Sequence, residues 1–222
     1  PSVSSYIGAD IVAGAYVANL HKTTKRVLFI DIGTNGEIVL SDRGQMVSCS
    51  CAAGPALEGM NISCGMRAAD GAIEDIHITE SGIELAVIGG GKPVGLCGSG
   101  ILAAVRELLD HKFVNSKGNL VKPDELATTD FRCQYLEVDE NKKRSVRLSK
   151  GRKRIAISQG DIRHVQLAKG AILSGFIALV NKAGLRMSDL DEVIVAGQFG
   201  AHLPAESLVG TGILPEETKD KI

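Results

Sequence analysis

The sequence predicts an α/β lobe built on a mixed sheet, with an antiparallel meander near its start and helices flanking it. Three observations carry this. Residues 26–32, 36–41 and 45–51 read as three short strands separated by a glycine turn and by Asp42-Arg43-Gly44, the pattern of consecutive hairpins. Residues 161–182 place Val165, Ala168, Ile172, Phe176 and Val180 on one face of a long helix, capped by Asp161 and ended by Gly184. Residues 191–196 then form an apolar run that closes on Gly197-Gln198-Phe199-Gly200, so a buried strand follows a helical crossover.

The remaining elements follow in order. Residues 4–20 read as a helix, with Ser4 or Ser5 as N-cap and with Gly8, Ala9, Ala13, Gly14, Ala15 and Ala18 allowing another element to come close. After the meander, residues 52–59 are a loop that starts a short helix. Residues 72–78 and 82–88 alternate as a hairpin turning at Glu80-Ser81-Gly82, and residues 98–114 carry Ile101, Leu102, Val105, Leu108 and Leu109 at helical spacing. Residues 115–130 are polar and irregular. Residues 132–138, 145–149 and 154–158 read as short strands at a basic edge. A short helix begins near Pro204. An antiparallel meander followed by crossover helices and further strands suits a ribonuclease-H-like lobe.

Composition bounds the function. The 222 residues make one large domain or two small ones, and a hydrophobic fraction of 44% supports a core. Aromatics are only 4%, so aliphatic side chains and Ala do the packing. A net charge of −1 argues against a dedicated nucleic-acid or membrane-surface protein, and no apolar run reaches bilayer length. The chain begins at Pro1 without an initiator Met or signal peptide, so it is expected to be a fragment. With no secretion signal, the five cysteines are expected to be reduced thiols in a cytoplasmic protein. Cys49, Cys51 and Cys64 lack CxxC spacing and are read as buried structural thiols, with Cys49 and Cys51 on opposite faces of their strand.

The chemistry concentrates in residues 27–40, VLFIDIGTNGEIVL. An apolar strand ends in Asp31, and Gly33 and Gly36 frame a turn whose backbone amides form an anion nest. Glu37 starts the second strand, facing the turn. Cys97-Gly98-Ser99-Gly100 is read as a tight strand-to-helix turn, and His202 as a surface or packing residue. Residues 142–154 hold eight Lys or Arg and read either as a solvated hairpin turning at Gly151 or as a docking surface for an acidic partner.

Four segments in this order resemble the sugar-kinase, heat-shock-chaperone and actin superfamily of ATPases, whose two lobes hold ATP between them. Residues 8–20 resemble its connecting helix, residues 31–37 its second phosphate hairpin, residues 51–59 its glycine loop and residues 193–200 its adenosine motif. More narrowly, DIGTNGEIVL, CAAGPALEG, ISCGMRAADGAIE, GLCGSGI and VAGQFGAHL are together similar to the ATP-dependent reductive activators of corrinoid proteins. Those proteins join an iron–sulfur domain to an ATPase module and restore Co(I) in a corrinoid partner that has lapsed to Co(II) during methyl transfer.

The resemblance implies ATP and Mg as cofactors, and an iron–sulfur cluster in the parent protein but not in this chain. It implies that Asp31 is the acid holding Mg²⁺ on the phosphates, directly or through water, with Glu37 either orienting water or metal or standing as an exposed strand acid. Gly33, Thr34, Asn35 and Gly36 would meet the phosphates. Gly54, Pro55 and Glu58 would line the nucleotide site, Glu58 at the ribose or capping a helix. Gly197, Gln198, Phe199 and Gly200 would approach the adenosine. Gln166 and Lys169 would flank the adenine or belong to a solvated helix face. The implied partners are a corrinoid protein and nucleotide, with no nucleic acid and no membrane, and a homodimer is compatible.

The expected layout is a connecting helix over 1–20, a phosphate meander and loop over 26–59, an inserted subdomain over 60–160 and an adenosine-binding part over 161–222. The first lobe and iron–sulfur domain are absent, so the fragment is expected to be inactive alone. The alternatives are a small-molecule kinase of the same superfamily and a non-catalytic ATP-binding regulatory module.

Overall fold

The computed structural model describes residues 7–149, 151, 153–197, 200 and 203–222. In chain order the elements are α1 (Ala9–Val17), β1 (Arg26–Ile32), β2 (Gly36–Asp42), β3 (Gln45–Cys51), β4 (Ala72–Thr79), β5 (Gly82–Val87), β6 (Gly95–Leu96), α2 (Gly98–Asp110), β7 (Leu136–Val138), β8 (Arg144–Arg147), β9 (Ala156–Ser158), α3 (Gln159–Lys182), β10 (Glu192–Ala196) and α4 (Ala205–Gly210). They divide into two compact units, the first comprising Pro1–Pro55 with Leu167–Ile222 and the second Ala56–Gln166. No helix among the described residues is long and apolar enough to cross a membrane.

The first unit is organised by a four-stranded sheet in the order β10-β1-β2-β3. The predicted meander is present, and β10 adds parallel to the free edge of β1. Strand alternation gives this sheet two apolar faces. Leu28, Ile30, Ile38 and Leu40 are fully buried on one face, where the second half of α3 packs. The contact there is close: a Cβ on Gly175 would meet Ile38 Cδ1 at 2.9 Å and Cys49 Sγ at 3.2 Å. Val27, Phe29 and Val39 point to the other face and form a cluster with Ile11, Ala15 and Leu20 of the α1 segment.

Helix α1 is shorter than the 4–20 expected. It ends because Asn19 turns left-handed (φ 54°) and the Asn19 and Leu20 amides donate back to the Tyr16 and Ala15 carbonyls, a Schellman closure. The caps expected at Ser4 or Ser5 lie outside the described residues. Cys49 and Cys51 share one face rather than two, since residues two apart on a strand project the same way; they pair with Ile38 and Gly36. All five thiols are free.

Helix α3 starts two residues before Asp161, because Ser158 is the N-cap. Ser158 Oγ accepts from the Asp161 amide (3.2 Å) while the Asp161 carboxylate accepts from the Ser158 amide (2.8 Å), a reciprocal capping box. The same buried carboxylate accepts the Ser63 amide and hydroxyl. At the other end Gly184 (φ 68°) closes the helix as expected.

The second unit holds two three-stranded sheets, β5-β4-β6 and β7-β8-β9. Helix α2 lies on β4, and Glu107 ties the two together by accepting the Ile78 amide at 2.7 Å. The helix stops at Asp110 rather than Val114, since Lys112 turns left-handed and Val114 bridges to Leu120. Residues 131–134 form a 3₁₀ turn rather than the start of a strand, because the Asp130 carboxylate accepts the Arg132 amide and guanidinium.

Two glycine substitutions test this packing in opposite directions. A Cβ on Gly100 would lie 2.0 Å from the Ile73 carbonyl oxygen, whereas one on Gly170 of α3 meets nothing within 4 Å. Gly100→Ala is expected to destabilise by about 3 kcal/mol. Gly170→Ala is expected to stabilise by roughly 0.5–1 kcal/mol through helix entropy. Denaturant unfolding midpoints of the two variants against the parent check both.

Candidate functional site

The C-terminal end of β1 gathers the polar groups of the first unit. The register sets Asp31 directly opposite Glu37 across the β1–β2 pair and beside Ala196 of β10. Both carboxylates therefore project from the α1 face, just beyond Phe29 and Val39, where the apolar cluster ends. Two like charges directly opposite on neighbouring strands oppose folding, so the pair is a local departure from what the sheet alone would select.

The start of α1 joins them. The Gly8 amide donates to Glu37 Oε1 at 2.7 Å, and a Cβ on Gly8 would meet Asp10 Oδ1 at 2.3 Å and Glu37 Oε2 at 3.4 Å. Glu37 thus caps the helix, a placement that also favours an anion electrostatically. Asp10, in the first turn, accepts the Ile11 amide at 3.0 Å. Burial, then the Asp10 charge, then the Glu37 charge push the Asp31 carboxyl above its ordinary value. Asp10, Asp31 and Glu37 form one acidic group at a sheet end. Among the described residues no three ligating side chains converge closely enough to hold a metal directly.

The hairpin tip is exposed at Thr34 and Asn35, while Gly36 is buried under Cys51 and Ile172 of α3. The Gly33 amide donates to the Asn35 carbonyl (3.2 Å), and the Gly54 amide to the Thr34 carbonyl (2.8 Å), so the loop after β3 is fastened to the turn. That brings Gly54 to the turn, with Pro55 next in sequence. Glu58 belongs to the second unit, in the 3₁₀ turn Pro55–Glu58.

The turn after β10 closes on the same acid. Gly197 has φ 93°, and a Cβ there would lie 2.3 Å from Asp31 Oδ1, so this glycine packs against the carboxylate itself. Gly200 lies against Val195 and Ile32. Gln198, Phe199 and His202 lie outside the described residues. Lys169 and Gln166 are held differently. Lys169, in the first unit, reaches the loop after α4, where a Cβ on Gly212 would come within 2.5 Å of its Nζ. Gln166, in the second unit, accepts from Arg163 and donates to the Lys117 carbonyl.

Asp10 is the member of the site that the sequence reading missed. Its signal was an acid in the first turn of an otherwise small, apolar helix, where first-turn acids are common for dipole reasons alone. Only the register of β1 against β2 shows that this turn meets Asp31.

Comparisons with known proteins agree with the fold. The family described as the C-terminal domain of RACo, the ASKHA domain, matches residues 25–222. A protein of Eubacterium limosum named corrinoid activation enzyme RamQ is 37% identical over 221 residues, covering 97% of this chain and 37% of that protein. A Methanosarcina barkeri protein named Co(II) methylated amine-specific corrinoid protein reductase is 26% identical over 241 residues, covering 99% of this chain and 40% of that protein. A solved structure named reductive activator for corrinoid, iron-sulfur protein superposes with a TM-score of 0.88 at 34% identity, covering 100% of this chain and 35% of that one. The chain thus spans well under half the length of each of these proteins.

The acidic group makes a pH prediction. A carboxyl whose folded value lies above its unfolded 3.8 costs stability when ionised, so this cost is absent below 3.8 and full above the folded value. Asp31→Asn is expected to stabilise the chain at pH 7 by about 0.5 kcal/mol, with the gain vanishing as pH falls through that window. Denaturant titrations of both proteins at neutral and acidic pH measure the difference.

Proposed function

Because the chain belongs to the family of the RACo C-terminal ASKHA domain, we propose that it is the ATP-binding lobe of a reductive activator that uses ATP to drive the reduction of Co(II) to Co(I) in a corrinoid protein. The mixed α/β architecture, a meander extended by a parallel strand, is that of an actin-like ATPase domain. The observation that carries the reading is the gathering of Asp10, Asp31 and Glu37 at the end of β1, beside an exposed glycine turn and backed by Gly197.

In this reading the turn at residues 33–36 receives the phosphates, its exposed tip and lack of bulk letting them approach the backbone. Asp31 is held at the phosphate end of the sheet by Gly197 on one side and β2 on the other. Its value is raised first by burial and then by the Asp10 and Glu37 charges, and a nearby cation would offset the part due to charge. The donors are hard carboxylate oxygens that do not converge into a closed cage, which fits Mg²⁺ carried on the phosphates and touched through water rather than a protein-ligated ion. When bound, that ion would neutralise charge on the transferred phosphoryl group. Glu37, committed to the Gly8 amide, positions the start of α1 and with it Asp10.

The lobe itself does no redox chemistry in this scheme. The one electron that takes Co(II) to Co(I) would be supplied by an iron–sulfur donor and not by residues of this lobe. ATP contributes by favouring a state of the protein that presents the cobalt differently, a shift limited by the differential affinity of the two states for nucleotide.

The full-length protein, given ATP, a reductant and a corrinoid protein, is expected to produce the Co(I) absorption spectrum, and to fail without ATP. Asp31→Ala is expected to lower both ATP turnover and Co(I) formation about 100-fold. Reduction at full rate without nucleotide, or in the Asp31→Ala variant, would sink the assignment.

A further inference from the structure

The second unit carries an open cleft of about 1080 Å³ on the polar face of the β7-β8-β9 sheet, lined among others by Ser63, Glu137, Lys142, Lys143, Arg144 and Arg154. Glu137, Ser145 and Ser158 stand in one row across its floor. The charge along this hairpin is segregated. Residues 142–154 contain eight Lys or Arg and no acid, so the chain's net charge of −1 is a balance of +8 in this run against −9 elsewhere.

The two carboxylates that line the cleft are already engaged. Glu137 accepts Arg154 Nε at 2.7 Å and lies 3.9 Å from Arg147 Nη1. Asp139 turns back on its own hairpin, its Oδ1 accepting the Asn141 amide at 2.9 Å and the Lys143 amide at 2.7 Å. Arg144 donates to the Leu120 carbonyl and its charge also acts on Glu125, outside the cleft lining. The exposed Lys142 and Lys143 ammonium groups form no ion pair among the described residues. The cleft therefore has a surplus of positive charge and internal acids that cannot quench it.

We propose that this cleft seats an acidic polypeptide segment of the corrinoid protein, a proposal that rests on the functional reading above for the partner's identity. The chemistry favours carboxylates on a polypeptide over a bound phosphate. The nearby start of α3 is already capped by Ser158 and Asp161, so it adds no anion site. The cations are spread along a hairpin instead of converging, and the two free ones are lysines, flexible point charges that suit several separated carboxylates better than one bidentate anion. Such contacts act chiefly on encounter and on salt dependence.

The test uses the full-length protein carrying Lys142→Glu together with Lys143→Glu. The expected result is a rise of about tenfold in KM for the corrinoid protein, a flattened salt dependence of that KM, and unchanged kcat and ATP affinity. In parallel, a fluorescein-labelled peptide of Glu and Asp should bind the parent protein, weaken about tenfold in the double variant, and resist displacement by inorganic phosphate at matched ionic strength. An unchanged KM in an otherwise active protein, equal peptide binding by both proteins, or displacement by phosphate would each overturn the proposal. If the parent shows no ATP-dependent Co(I) formation, the functional reading fails and the assignment to a corrinoid protein falls with it, while the peptide measurement still decides whether the cleft takes acidic segments.

Discussion

Strand β1 is hydrogen-bonded on both edges, antiparallel to β2 and parallel to β10, and its last residues decide where every polar group of the site meets. Slipping β1 by one residue against either neighbour would turn Asp31 to the other face, into the packing against α3, and bring Ile30 or Ile32 out under α1. The apolar alternation along β1 forbids this, because Leu28 and Ile30 are fully buried on the α3 face and Val27 and Phe29 on the α1 face. The core therefore fixes the register, and the register fixes the acid. The opposition of Asp31 and Glu37 is tolerated because Glu37 is satisfied by the Gly8 amide and because the rest of the strand is so firmly placed.

Missing side chains matter as much as present ones. Helix α1 reaches the sheet because Gly14 has no Cβ to strike Phe29, and its first turn reaches Glu37 because Gly8 has none to strike Asp10. On the far side, Gly36 and Gly175 let α3 lie against the meander. These positions are poor for secondary structure in isolation. Their value is in bringing backbones together where the site needs them, which explains how a chain with few aromatic residues still closes its core.

Much of this was legible in the sequence, for identifiable reasons. The first two meander strands carry near-continuous apolar runs, and the glycine turns on either side of β2 mark where the chain reverses. Strand β10 was legible because an apolar run between a terminating glycine and a glycine turn has few other readings. Helix ends were less legible. Asn19 and Lys112 end α1 and α2 in the left-handed region, a choice neither residue type announces. Ser158 displaced Asp161 as the cap because a reciprocal pair outcompetes a single acid, and the Ser63 contacts to that acid come from nearly a hundred residues away. At the site, Asp31 and the glycine turn could be read locally. Asp10 could not, since only strand pairing brings it there, and neither could the packing of Gly197 on Asp31, which depends on β10 lying parallel beside β1.

The thiols on β3 have a consequence for the reactivity of the lobe. Burial, then the Cys49 charge, pushes the Cys51 thiol up to about 11 against a smaller opposing effect of its contact with Gly36, and burial also raises Cys49. At neutral pH roughly one Cys51 in ten thousand would be ionised. A soft nucleophile that stays protonated neither ligates a stray transition metal nor attacks an oxidised disulfide at a useful rate. Cys49 and Cys51 are half-buried rather than fully enclosed, yet the apolar packing around β3 is enough to keep both thiols chemically quiet.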